Sequence, residues 1–191
     1  MLEQDFINTL RYITLDDNNF GCFSNEYIKL LELTCSEVEN VLKCLCGQNN
    51  KNIKKYRERI IEIYPDIVSE QVYITELKTY ECIPFKKFKN KKSPKWWLNY
   101  NSVKHNRLVN YKNATQKNVL DALAALFLLE QILSNKIKSK NCIILNSNFF
   151  YLESKNGIFD SEAYISTCTD DELEKALEES NWYSWVINSF I

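Results

Sequence analysis

The chain has 191 residues, 45% of them hydrophobic and 26% charged, with a formal net charge of −1 and only three glycines and three prolines. That composition excludes a disordered chain and predicts one globular domain, or a domain with a small appendage. The strongest apolar run, Ala122 to Leu129, falls well short of the roughly 18 residues a membrane helix needs, so no membrane partner is expected.

In chain order, the first predicted element is a short helix around Leu2 to Ile13, followed by a loop at Asp16 to Gly21. Ser24 opens a longer helix, in which Tyr27, Ile28, Leu31, Cys35, Val38, Leu42 and Leu45 recur at spacings of three and four until Gly47 stops the pattern. A helix at Asn52 to Tyr64 carries Ile53, Tyr56, Ile60 and Ile61, and Pro65 closes it. Gln71 to Phe85 loses the helical period and mixes alternation with β-branched and aromatic residues, which predicts an extended excursion or short hairpin. A lysine-rich connector at 85–95 leads to Ser93 and Pro94, read as the cap and first turn of a helix from Trp96 to about Val109. The next helix, capped by Asn113 or Thr115, is apolar almost all round from Val119 to Leu133 and should lie buried at the centre. Cys142 to Leu145 and Phe149 to Leu152 flank an Asn-Ser-Asn turn as a candidate hairpin, and Asp170 to Ser180 reads as an acidic helix. The expected architecture is therefore mainly α. A four- to five-helix bundle occupies 1–140, and a small β-hairpin belongs to an acidic, aromatic-rich C-terminal appendage, 141–191, that packs on the same core.

Seven cysteines, an odd number with no repeating spacing, read as reduced thiols of a cytoplasmic protein. The opening MLEQDFINTL lacks the basic start and apolar stretch of an export signal. Cys44 and Cys46, the closest pair, point about 200° apart on a helix, and no histidine or second pair completes a zinc set. Neither metal nor cofactor is expected.

Charge is segregated along the chain. Between Glu81 and Asp121 there is no acid, while Lys86, Lys87, Lys89, Lys91, Lys92, Lys95, Lys104, Arg107, Lys112 and Lys117 are all positive. From Glu153 to Glu179 nine acids face two lysines. A basic middle and an acidic end predict a polyanionic partner such as RNA, a protein partner docking through the acidic segment, or contact between the two poles.

The one histidine, His105, sits in this basic stretch. On a continuous helix, Trp97, Asn101, His105 and Leu108 share a stripe, and Trp96, Tyr100, Val103 and Arg107 form the adjacent one. Asn101 lies one turn before His105, and Lys104 and Arg107 flank it with positive charge that favours the neutral, proton-accepting imidazole. Such a group can move a proton at the 2′-hydroxyl of RNA, with Arg107 stabilising the charge that develops on phosphorus, and needs no metal to do so. Trp96 and Trp97 have two readings: stacking surface for bases, or bundle core.

The segment Asn101-Ser-Val-Lys-His105, in a helix followed by a long apolar helix, resembles the HEPN (higher eukaryotes and prokaryotes nucleotide-binding) superfamily over roughly Pro94 to Ser139. The resemblance implies a four-helix bundle. It also implies a metal-independent endoribonuclease of toxin–antitoxin, phage-defence or CRISPR systems, and a homodimer whose two motifs make one site. His105 then takes the catalytic position and Asn101 the polar position ahead of it. The arginine expected beside that asparagine is Tyr100 here, which leaves Arg107 or Lys104 to supply the charge, or leaves a module without catalysis. Two further readings stand beside it. One is a non-catalytic nucleic-acid-binding module using the basic strip at 85–117, and the other is a regulatory protein that binds only other proteins.

Overall fold

The computed structural model describes residues 1–46, 52–77, 79–138 and 147–153, and within them the protein is mainly α. The first helix, α1 (Leu2–Thr9), buries Leu2 and Phe6, with the Phe6 ring 6.3 Å from Tyr27 of α2 (Asn25–Cys46). α2 begins where Ser24 predicts, because the Ser24 hydroxyl accepts the Tyr27 N–H at 3.0 Å and satisfies a donor the helix cannot pair internally. Its residues at three- and four-residue spacing, from Tyr27 to Leu45, are buried. α3 (Ile53–Ile63) is capped in the same way by Asn52, whose side chain accepts the Lys55 N–H at 3.1 Å.

The excursion after α3 closes on itself through a bridge between Val72 and Cys82. Its strand β1 (Tyr73–Ile74) takes an antiparallel partner far down the chain, β2 (Phe150–Tyr151), with Tyr73 opposite Tyr151 and Ile74 opposite Phe150. Of the C-terminal hairpin expected at the Asn-Ser-Asn turn, one arm supplies β2, which pairs with β1, and the other arm, Cys142 to Leu145, lies outside the described residues. The acidic helix expected at Asp170 to Ser180 and the aromatic terminus also lie outside them. Phe149 and Phe150 are buried against Phe6 and Phe127, so this strand belongs to the main core.

The predicted helix from Trp96 to about Val109 is two helices, α4 (Lys95–His105) and α5 (Arg107–Asn110). Between them Asn106 leaves helical geometry, with φ −150° and ψ 78°. Asparagines cause and hold the break, since their side chains compete with the helix for backbone groups. The Asn110 amide donates to the Ser102 carbonyl at 2.9 Å, and Asn113 donates to the Ser102 hydroxyl at 2.9 Å. The two stripes read from a continuous helix therefore end at His105, and Leu108 and Arg107 belong to a separate segment. Ser93 does not cap α4 either. Pro94 holds the cap position and no side chain bonds the helix start.

α6 (Gln116–Lys138) is the central helix, packed against α2, α4 and α1. Its start is fixed twice: Thr115 accepts the Asn118 N–H at 3.3 Å, and the buried Gln116 amide donates to the Ile13 carbonyl at 3.1 Å and the Tyr27 hydroxyl at 3.2 Å. Val119 to Leu129 is buried with the exception of Asp121, each large side chain contributing about 1.5–3 kcal/mol. Glu130 sits in that core at 2% exposure. Burial raises its pKa well above the usual carboxylate range, and repulsion from Glu37 of α2 and Glu3 of α1 adds to this. Among the described residues no helix is long and apolar enough to cross a membrane.

Candidate nucleic-acid interface

Lys86–Asn90 is a 3-10 turn, built into the fold by the aromatic residues between its lysines. Phe85 and Phe88 are fully buried, 5.1 Å apart, and Phe85 meets Trp96 edge-on at 5.9 Å. With the aromatic rings fixed inward, Lys86, Lys87, Lys89, Lys91, Lys92 and Lys95 are all exposed. The far end of the turn is held from α3. Arg57, 8% exposed, donates to the Lys91 carbonyl at 2.5 Å, where the backbone enters the left-handed region at φ 56°. The segment read as a connector is therefore a folded platform. Lys86 pairs with Glu81 at 3.5 Å, but both side chains are more than 60% exposed, and such a pair neutralises little.

Trp96 and Trp97 are 2% and 5% exposed. The Trp96 indole N–H donates to the Pro84 carbonyl at 3.1 Å, and Trp97 stands edge-on between Trp96 and Tyr100. Their rings are core, and present no open face on which a base could stack.

Beside the platform a cavity of about 150 Å³ opens between the start of α4, the excursion and α6. Lys86, Lys87, Lys95 and Lys117 stand around it, with Tyr80 and Asp121. The Tyr80 hydroxyl donates to the Asp121 carboxylate at 2.6 Å and accepts a bond from the Lys117 ammonium, which also bonds Asp121 at 3.1 Å. Burial first, and the Asp121 carboxylate second, push the Tyr80 phenol far above its ordinary range, so it stays protonated. The Cys82 thiol, buried next to Asp121, is raised for the same reasons and is no nucleophile at neutral pH.

At the other end of α4, His105 is exposed on the last helical residue. Among the described residues no hydrogen bond or ring contact holds its imidazole. Asn101 does not reach it: its amide donates back to the Trp97 carbonyl at 3.1 Å. Lys104 also turns away, donating to the Tyr100 hydroxyl at 3.1 Å with its ammonium 5.2 Å from the ring centre. That hydrogen bond raises the Lys104 pKa. Arg107 is exposed on α5 beyond the break. Asn101, Lys104 and Tyr100 are thus tied to their own helix, while His105 and Arg107 remain open to solvent. Leu108 and Val109, 91% and 69% exposed, lie next to them.

Cys44 is exposed and Cys46 is buried, facing apart as their spacing predicts. Among the described residues no group of three or more metal-binding side chains converges. Sequence reasoning missed Tyr80, Lys117 and Asp121 as one cluster. The four-residue spacing of Lys117 and Asp121 was visible, but nothing marked Tyr80 as their neighbour. Compared with protein-family models, curated proteins and solved structures, the chain matches none.

Proposed function

We propose that the protein binds RNA through the lysine platform at Lys86 to Lys95. One observation carries the reading: Phe85, Phe88 and Arg57 fix the backbone of this segment while its six lysines stay exposed, and among the described residues Glu81 is the one acid that pairs with any of them. An ordered cationic array releases counterions on binding a phosphate backbone, and it does so without reading sequence. Trp96 and Trp97 take no part, being core. Binding to a single-stranded RNA pool, followed at two salt concentrations, tests the reading. Affinity should fall steeply with salt and should drop when platform lysines are neutralised, and salt-insensitive binding or none would remove it.

A second reading rests on the exposure of His105. In a HEPN-like ribonuclease, His105 would take the proton of a 2′-hydroxyl and Arg107 would face the phosphate, with a second copy covering Leu108 and Val109. Incubation of wild type and His105→Ala with the same RNA in EDTA decides between a nuclease and a binding module. Cleavage lost in the variant supports catalysis, and intact RNA with equal binding by both proteins leaves the platform alone. Sedimentation of the wild type would test for the homodimer.

A further inference from the structure

The cavity beside the platform differs from the open lysine surface in being recessed and small, and in having one of its lysines, Lys117, held by hydrogen bonds. Its volume, about 150 Å³, is well below that of pockets that enclose whole small ligands, which start near roughly 300 Å³. It would hold about five waters at roughly 30 Å³ each, which suits one compact polar group. Lys86, Lys87, Lys95 and Lys117 outnumber Glu81 and Asp121 around it by two positive charges. Lys117 is held in place by Tyr80 and Asp121, so its charge is fixed before any ligand arrives. Pro94, Lys95 and Trp96 bring the start of α4 to the same wall, where no side chain caps the helix and its first N–H groups add positive potential.

We propose that this cavity is a binding site for a single phosphate group, gripped by Lys87 and Lys95 with Lys117 behind them. A phosphate monoester carries about −1.5 to −2 at neutral pH, which matches the surplus charge. The inference deepens the RNA-binding reading and rests on it for the source of the group, which is either a terminal phosphate or a backbone phosphodiester.

The test uses the full chain and begins with inorganic phosphate at constant ionic strength, followed by amide resonances and the Trp96 indole N–H. A saturable shift at Tyr80 to Lys87, Lys95 and Trp96, absent with chloride, is expected. Lys87→Gln with Lys95→Gln should weaken it about tenfold, and Lys89→Gln with Lys92→Gln, an equal charge change outside the cavity, by no more than about twofold. No saturable shift, or equal weakening by both pairs, would overturn the site. RNAs of one sequence with a 5′-phosphate or a 5′-hydroxyl then separate the sources. Tighter binding of the phosphorylated RNA, erased by Lys87→Gln with Lys95→Gln, assigns a terminal phosphate. Equal binding with the cavity resonances shifted by both assigns a backbone one. Saturation by phosphate without RNA binding would overturn the RNA reading and leave the phosphate site standing.

Discussion

α4 leaves the platform at one end and stops at His105 at the other, about 15 Å along its axis. At the platform end the chemistry is locked: lysines stand on buried aromatics, a buried arginine holds the turn, and a hydrogen-bonded cluster fixes Lys117. At the His105 end the candidate reactive groups are loose, and the residues that should orient them bond elsewhere. Recognition of charge needs the first kind of order, whereas proton transfer needs a second group placed to within a hydrogen bond of the first. The proposed binding therefore draws on groups already held in place, whereas the proposed catalysis would require further groups at the His105 end.

The strongest way to break the comparison is to remove the column beneath the platform. Phe88→Ala or Trp96→Ala should cost about 3–5 kcal/mol in denaturant unfolding, because each empties a fully buried site. A loss below about 1 kcal/mol would mean the platform is not anchored as described. Arg57→Ala should cost about 1.5–3 kcal/mol, the range for a hydrogen bond made by a charged group, and should speed amide exchange at Lys86 to Lys92 with little change around His105. Equal acceleration at both ends would show one cooperative unit.

Glu130 probes the core where α6 meets α2 and α1, apart from both ends of α4. Its folded pKa is raised, so the folded state holds a proton that the unfolded state gives up. Its contribution to stability is present below the ordinary carboxylate pKa and is lost as pH rises through the higher folded value. Glu130→Gln should therefore raise the unfolding midpoint at pH 7 while leaving it nearly unchanged at pH 4. A variant that is no more stable at pH 7 would refute that sign.

Smaller effects on the fold sharpen the comparison further. Neutralising Lys89, Lys91 and Lys92 together should leave stability within about 0.5 kcal/mol. It should also flatten the salt dependence of RNA binding by about two units of logarithmic slope, at roughly 0.7 per phosphate contact on a single strand. An unchanged slope would place the RNA elsewhere. His105→Ala should be nearly silent in both stability and binding, its exposed ring bonding no described residue. A large loss of stability would show that the His105 end is as tightly built as the platform.

Much of the helical framework was legible in the chain. Ser24 and Asn52 each announced a helix start, and the spacing from Tyr27 to Leu45 announced a buried face, because caps and periodicity act over a few residues. The continuous apolar run from Val119 likewise marked the central helix. The break at Asn106 was not legible, since it depends on Asn110 and Asn113 returning to Ser102. The break separates Leu108 from His105, which share a stripe only on an unbroken helix.

By itself the sequence determined that this protein is mainly α, that α6 is central, and that positive charge gathers between Glu81 and Asp121. Those are properties of composition and local period, and each residue carries its share of them wherever the chain goes. Only the tertiary structure decided that β2 pairs with β1, that the tryptophans are core, and that Tyr80, Lys117 and Asp121 meet beside the lysines. Such contacts join residues distant in the chain, and their energy comes from burial and hydrogen bonds that exist only once the helices have packed.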